Sequence, residues 1–267
     1  MTRAQRLRAG FVVVRTVFLS IATAVGGLFV VRALWPSSCS AETNDFVGSY
    51  LQALASIYAV LLAFVTFVVW SQFNDARTLV EREANELLDL YRTARALPEP
   101  LGGPLCKNVA GYVEEVLGPE WDAMACAAPG EMRRGTELLD VLWGRIASVE
   151  PGNERESALF AELLSRFNDL SDVRQARLTA SRLRIPMALK IFVYAGAFMT
   201  VGSLYLICIP NFTVHAIATG AVSGALSNVL YVIHDLDSCF SGEWQVPRSA
   251  FERVAAYVHK CSGTGPG

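Results

Sequence analysis

The sequence is poor in charge and poor in the residues that carry chemistry. Asp, Glu, Lys and Arg make up 18% of it, against about 25% in ordinary soluble domains. Only three histidines occur, His215, His234 and His259, and none stands at metal-ligand spacing. The six cysteines, at 39, 106, 126, 208, 239 and 261, form no CxxC pair. That removes the usual zinc pattern. No P-loop, GxGxxG or HExxH string is present, so the chemistries those spacings support have no foothold. An enzyme reading is therefore unsupported and no cofactor is expected. The net charge is -2, without a basic run or aromatic-basic interleaving, which leaves no footprint for a nucleic-acid partner.

Charge is missing altogether from Val47–Trp70 and from Ile191–Ile233, His215 aside. Four apolar runs result: Phe11–Trp35, Val47–Trp70, Ile191–Ile209 and Phe212–Ile233. Each is long enough to cross a bilayer as a helix, which needs roughly 20 residues. The fold class expected is an all-α membrane protein with four transmembrane helices per subunit. A helical cytoplasmic domain is inserted between spans two and three. The segments are residues 1–72, 73–185, 186–234 and 235–267. The basic start at Arg3, Arg6 and Arg8, with small Ser40-Ala41, also suits a cleaved signal peptide. The apolar run is too long for a signal core, however, and Arg32 and Trp35 occupy the cleavage region.

Basic residues gather on the cytoplasmic side of short loops. Arg3, Arg6, Arg8 and Arg15 lie before or just inside the first span. Pro36–Phe46 has no Lys or Arg, but has Glu42 and Asp45. Fifteen of the 23 basic residues fall in Ser71–Lys190, and the tail adds Arg248, Arg253 and Lys260. Both termini and the insert are thus assigned to the cytoplasm, with the spans in the inner membrane. Cys39 and Cys208 fall at outer span ends; they either pair in an oxidising exterior or stay free. No Gly or Pro interrupts Ser71–Leu97, so the second span should continue as an amphipathic helix to the break at LPEPLGGP. Further helices are expected at about Leu105–Leu117, Glu131–Val149 and Arg155–Arg184. Pro186 should open the third span, in a turn where proline is tolerated. The tail end, CSGTGPG, reads as disordered.

Three groups of residues invite function. Ile57, Val60, Phe64, Phe67 and Ser71 share one face of the second span. They make either a pore-lining face with a hydrophobic constriction or a lipid-facing or bundle-core stripe. Gly220 and Gly224 form a GxxxG, continued by Ala216 and Asn228, which suits close helix packing. Asp235 and Asp237 follow the fourth span. With Asp75 or Glu81 they form either a cation site, since hard cations need several oxygens, or ion pairs with Arg77, Arg182 or Arg184.

The strings FNDARTLVEREANELLDLYRTARALP, SRLRIP and DLDSCFSGEWQVPRSAF resemble those of a bacterial bestrophin-like membrane family, in order and spacing across about Leu51–Val254. Cys239 departs from the pattern, where proline precedes the phenylalanine. The resemblance implies four spans per subunit, a homo-oligomer that is pentameric in bestrophins, and a second span lining a narrow hydrophobic neck. It favours the pore reading for Val60, Phe64 and Phe67, and does not carry over a calcium switch. The function expected is an oligomeric ion channel of undetermined selectivity, whose partners are its own copies, membrane lipid and permeant ions. The alternative is a non-conducting scaffold or sensor whose helical insert binds a cytoplasmic partner.

Overall fold

The structure is a computed structural model that describes residues 3–34, 41–99, 101–126 and 132–263. All regular structure among them is helical. In chain order it comprises α1 (Arg3–Leu34), α2 (Ala41–Ala96), α3 (Gly102–Glu115), a π-helical turn (Val116–Glu120) and α4 (Trp121–Cys126). Then come α5 (Arg133–Ala147), α6 (Glu154–Arg182), α7 (Met187–Leu204), α8 (Phe212–Leu236) and α9 (Ser249–Cys261). Four stretches have the length and apolar character to cross a membrane: Phe11–Leu34, Asn44–Ala96, Glu154–Leu204 and Phe212–Leu236. The chain divides into two compact units. One holds Met1–Trp70 and Ile185–Asp237, the other Ser71–Arg184 and Ser238–Gly267.

In the first unit α8 lies against α1 along the GxxxG stripe. A Cβ at Gly220 or Gly224 would stand 3.2 or 3.1 Å from the Ile21 side chain, which would have to give way, so the two glycines favour this close approach in lipid. Ser20 and Ser223 hydrogen-bond across the seam at 2.8 Å. His215 is buried and its Nε2 lies 2.9 Å from the Leu204 carbonyl oxygen. Ala216 is half-buried and Asn228 is exposed, so Asn228 falls outside the buried stripe. The third span is shorter than the apolar run suggests: α7 ends at Leu204, not Ile209. The carbonyls of Ile209 and Pro210, which no helix satisfies, accept from Arg32 Nη2 at 2.8 and 2.7 Å. Asn211 then caps α8, accepting from the Thr213 and Val214 amides.

The second unit is a helical domain with an ionic centre. Glu83, Glu120 and Arg177 are fully buried and Arg174 nearly so. Arg177 Nε donates to Glu83 (2.5 Å) and its Nη2 to Glu120 (2.5 Å). Arg174 Nη2 donates to the other Glu120 oxygen at 2.6 Å, and the Tyr112 hydroxyl donates to Glu83 at 2.6 Å. Burial works against the charge of Arg177, but Glu83, Tyr112 and Glu120 outweigh it and hold the guanidinium above its usual range. Burial, then the charge of Glu83, pushes the Tyr112 hydroxyl well above the usual tyrosine range. The π-helical turn, with Pro119 inside it, ends at Glu120 and leaves it buried. Such turns are local departures from the α-helical repeat.

The sequence reading did not include this turn, α4 or α9. α9 packs through Phe251 edge-on to Trp121, which also meets Phe240. Cys239, at the departure from the family strings, is buried, and its carbonyl accepts from Val246 N–H at 2.8 Å. Gly242 adopts φ 87° in the same turn, a conformation that favours glycine. Residues 264–267, most of the tail end expected to be disordered, lie outside the described residues, as does Cys39. Cys208 is disulfide-bonded, and Cys106, Cys126, Cys239 and Cys261 are free thiols.

Candidate functional site

α2 has two unlike faces. Tyr58, Leu62, Val65 and Val69 are buried. They recur at three and four residues and form the side that packs into the first unit. Tyr58 anchors it: its hydroxyl donates to the Val193 carbonyl at 2.7 Å, and its ring fills the space where a Cβ on Gly196 would fall. Opposite, Ile57 is 72% exposed, Val60 72%, Phe64 59% and Phe67 68%. Ser71 is half-buried. From Ile57 to Phe67 this bare apolar stripe is about 15 Å long at 1.5 Å per residue. Asn44, near the start of α2, accepts from the Cys208 amide at 3.0 Å. Asp45 beside it is exposed; the side chain of Glu42 lies outside the described residues.

The acidic residues fall in different surroundings. Asp75 and Glu81 are exposed on the part of α2 that belongs to the second unit, and Glu81 pairs with Arg77 at 3.5 Å. Asp235 and Asp237 are buried in the first unit. Asp237 accepts the Ile185 amide at 2.7 Å and pairs with Lys190 Nζ at 2.6 Å. The partner is therefore Lys190, while Arg184 donates to the carbonyls of Ser181 and Leu183. Asp237 also sits at the N-terminus of α7, where the helix dipole favours a negative charge. Its contact with Ile185 joins two of the quoted strings, SRLRIP and DLDSCFSGEWQVPRSAF. Among the described residues no three His, Cys, Asp or Glu side chains gather as a metal site.

These features define an all-helical, multi-pass membrane protein in which the long helix α2, like α1, α7 and α8, leaves large apolar side chains exposed. The chain belongs to the bestrophin-like family: the family model described as a Bestrophin-like domain matches residues 18–251. Its fold is that of a bacterial bestrophin homologue from Klebsiella pneumoniae, at 12% identity and TM-score 0.71, covering 95% of this chain and 99% of the other. A point variant of that homologue gives 12% identity and TM-score 0.71 over 94% and 99%. No curated protein matches the sequence.

Proposed function

We propose that the chain forms a homo-oligomeric ion channel, pentameric as in bestrophins, in which copies of α2 surround the axis. Ile57, Val60, Phe64 and Phe67 form a hydrophobic neck and Ser71 follows below it. The observation that carries this reading is the bare stripe on α2 taken with the resemblance to bestrophins: α1, α7 and α8 also expose apolar side chains, and it is the second span that lines the neck in bestrophins. A continuous apolar stripe left open on a subunit calls for a partner surface or a special environment, and an apolar constriction gates by dewetting. Both termini and the helical domain lie in the cytoplasm of a bacterial inner membrane, in keeping with the arginines at the chain start and in the insert. For the acidic residues we adopt ion pairing, with Lys190 neutralising Asp237.

The purified oligomer in planar bilayers should give unitary currents above protein-free controls. Silence from a correctly assembled oligomer would overturn the channel reading and favour the scaffold. Phe64→Ala should raise conductance or open probability; an unchanged current removes Phe64 from the neck.

A further inference from the structure

We infer that Cys106 and Cys261 are a reversible dithiol pair, joined by a disulfide when a small-molecule disulfide enters the cavity they share. The two thiols are far apart in the sequence and both free. They line one cavity of about 500 Å³ in the second unit, walled by the end of α2, the start of α3 and the end of α9. Tyr91 of α2 meets both sides of it. Its carbonyl accepts from Cys106 Sγ at 3.9 Å, and its hydroxyl lies 3.5 Å from Ser262 Oγ, next to Cys261. Cys261 Sγ accepts from Arg95 Nη1 at 2.9 Å. Burial pushes the Cys106 thiol up to about 11; Arg95 works against that rise and Cys261 adds to it, so Cys106 is within electrostatic reach of both. The other free thiols, Cys126 and Cys239, line a different part of the molecule.

The surroundings give the two sulfurs different parts. Cys261 has a guanidinium against its sulfur, and a thiolate beside a cation in an open pocket is the form that attacks. Its sulfur attacks one sulfur of the incoming disulfide, and the other leaves as a thiolate that takes up the proton. Cys106, whose proton is held toward the Tyr91 carbonyl, then loses it and attacks Cys261 in the mixed disulfide, releasing the second small thiol. Two protein thiols are oxidised and one disulfide is reduced to two thiols. A bridge needs Cα atoms about 4.4–6.8 Å apart. Cys261 is the final residue of α9, and Gly263 just beyond it turns the chain at φ 72°. The last helical turn is where a helix opens most readily, so closure of the cavity requires no movement of the Phe251 end of α9. In the cytoplasm, the compartment proposed above, a disulfide of this kind is transient and redox-sensing. The pair makes no use of conduction, so this inference and the channel reading fail separately.

The test uses the full-length protein, purified under reducing conditions and then exposed to oxidised glutathione, with peptide mass spectrometry as the readout. A bridged Cys106–Cys261 peptide should appear and should vanish on adding dithiothreitol. Thermal unfolding should shift upward and return with it, because the bond closes the long loop between the two residues. Cys106→Ser should stop at the first step and keep glutathione on Cys261. Arg95→Gln should slow bridge formation about tenfold, as expected when one close cation is lost. Absence of the bridged peptide, glutathione persisting on Cys261 of the unaltered chain, or pairing of Cys106 with another cysteine would each overturn the proposal. An unchanged rate in Arg95→Gln would overturn the part given to Cys261.

Discussion

Arg177 is the side chain on which the helical domain depends most. Arg177→Met leaves Glu83 and Glu120 buried without their shared cation, and removing one partner of a buried pair costs about 3–5 kcal/mol. Chemical denaturation of the purified protein should show that loss, and Glu83→Gln added to Arg177→Met should recover part of it. A second residue gives a pH test. Burial, with smaller effects from nearby charges, pushes the Cys106 thiol up to about 11 from its ordinary 9.0. Its folded value is the higher one, so its contribution to stability is complete below about pH 9 and is lost as pH rises toward 11. Denaturation midpoints at pH 8 and 10 should differ less in Cys106→Ala than in the unaltered chain. If the proposed pore opens outward past Asp45, the symmetric copies of that residue would make the mouth negative and favour cations, so Asp45→Asn should shift the reversal potential in a salt gradient away from the cation value. Little of the ionic centre was legible in the sequence, because isolated Glu and Arg on a helix resemble a solvated face. The available signal was register. Glu83 falls three residues after Val80 and four before Leu87. Arg174 and Arg177 interleave with Leu170, Val173 and Leu178, all of them buried.

At the level of elements, the spans were the most legible part, because a run of about 20 uncharged residues has few other physical meanings. The unbroken passage from the second span into the amphipathic stretch was legible too: nothing between Ser71 and Leu97 stops a helix, and α2 runs to Ala96. The early end of α7 was not, since it depends on Arg32, 177 positions from Ile209, to satisfy the exposed carbonyls. The π-helical turn has no simple sequence periodicity, and α9 is short enough to pass for tail. The α1–α8 seam supplies a test at this scale. Gly224→Leu drives a side chain into Ile21, where even a Cβ would stand at 3.1 Å. Overpacking of this kind costs about 1–3 kcal/mol, and thermal unfolding in detergent should fall accordingly, while Ala221→Leu on the exposed side of α8 should change it little.

For the whole molecule, a single chain buries one side of α2 and leaves the other to its surroundings. The proposed bestrophin-type assembly would supply those surroundings through symmetry, and a view down the axis of the purified oligomer should find α2 innermost. Cysteines placed at Val60 should then cross-link between copies under mild oxidation, whereas cysteines at Phe198, on α7, should not. The proposed neck rests on the family strings rather than on composition, since an apolar stripe looks the same whether it faces lipid, protein or an axis.

The hydrogen bond from the Ile185 amide to Asp237 has a practical meaning for protein engineering. It brings the first and last residues of a 53-residue excursion, Ile185–Asp237, to within a few bonds of each other. A stretch whose ends meet can be cut out and its flanks rejoined without stretching the chain. Deleting it along with residues 1–70, and joining Arg184 to Ser238 through about four Gly and Ser residues, should yield a water-soluble helical protein. Its circular dichroism should melt in one cooperative step, giving direct access to the Glu83–Arg177 centre in plain buffer.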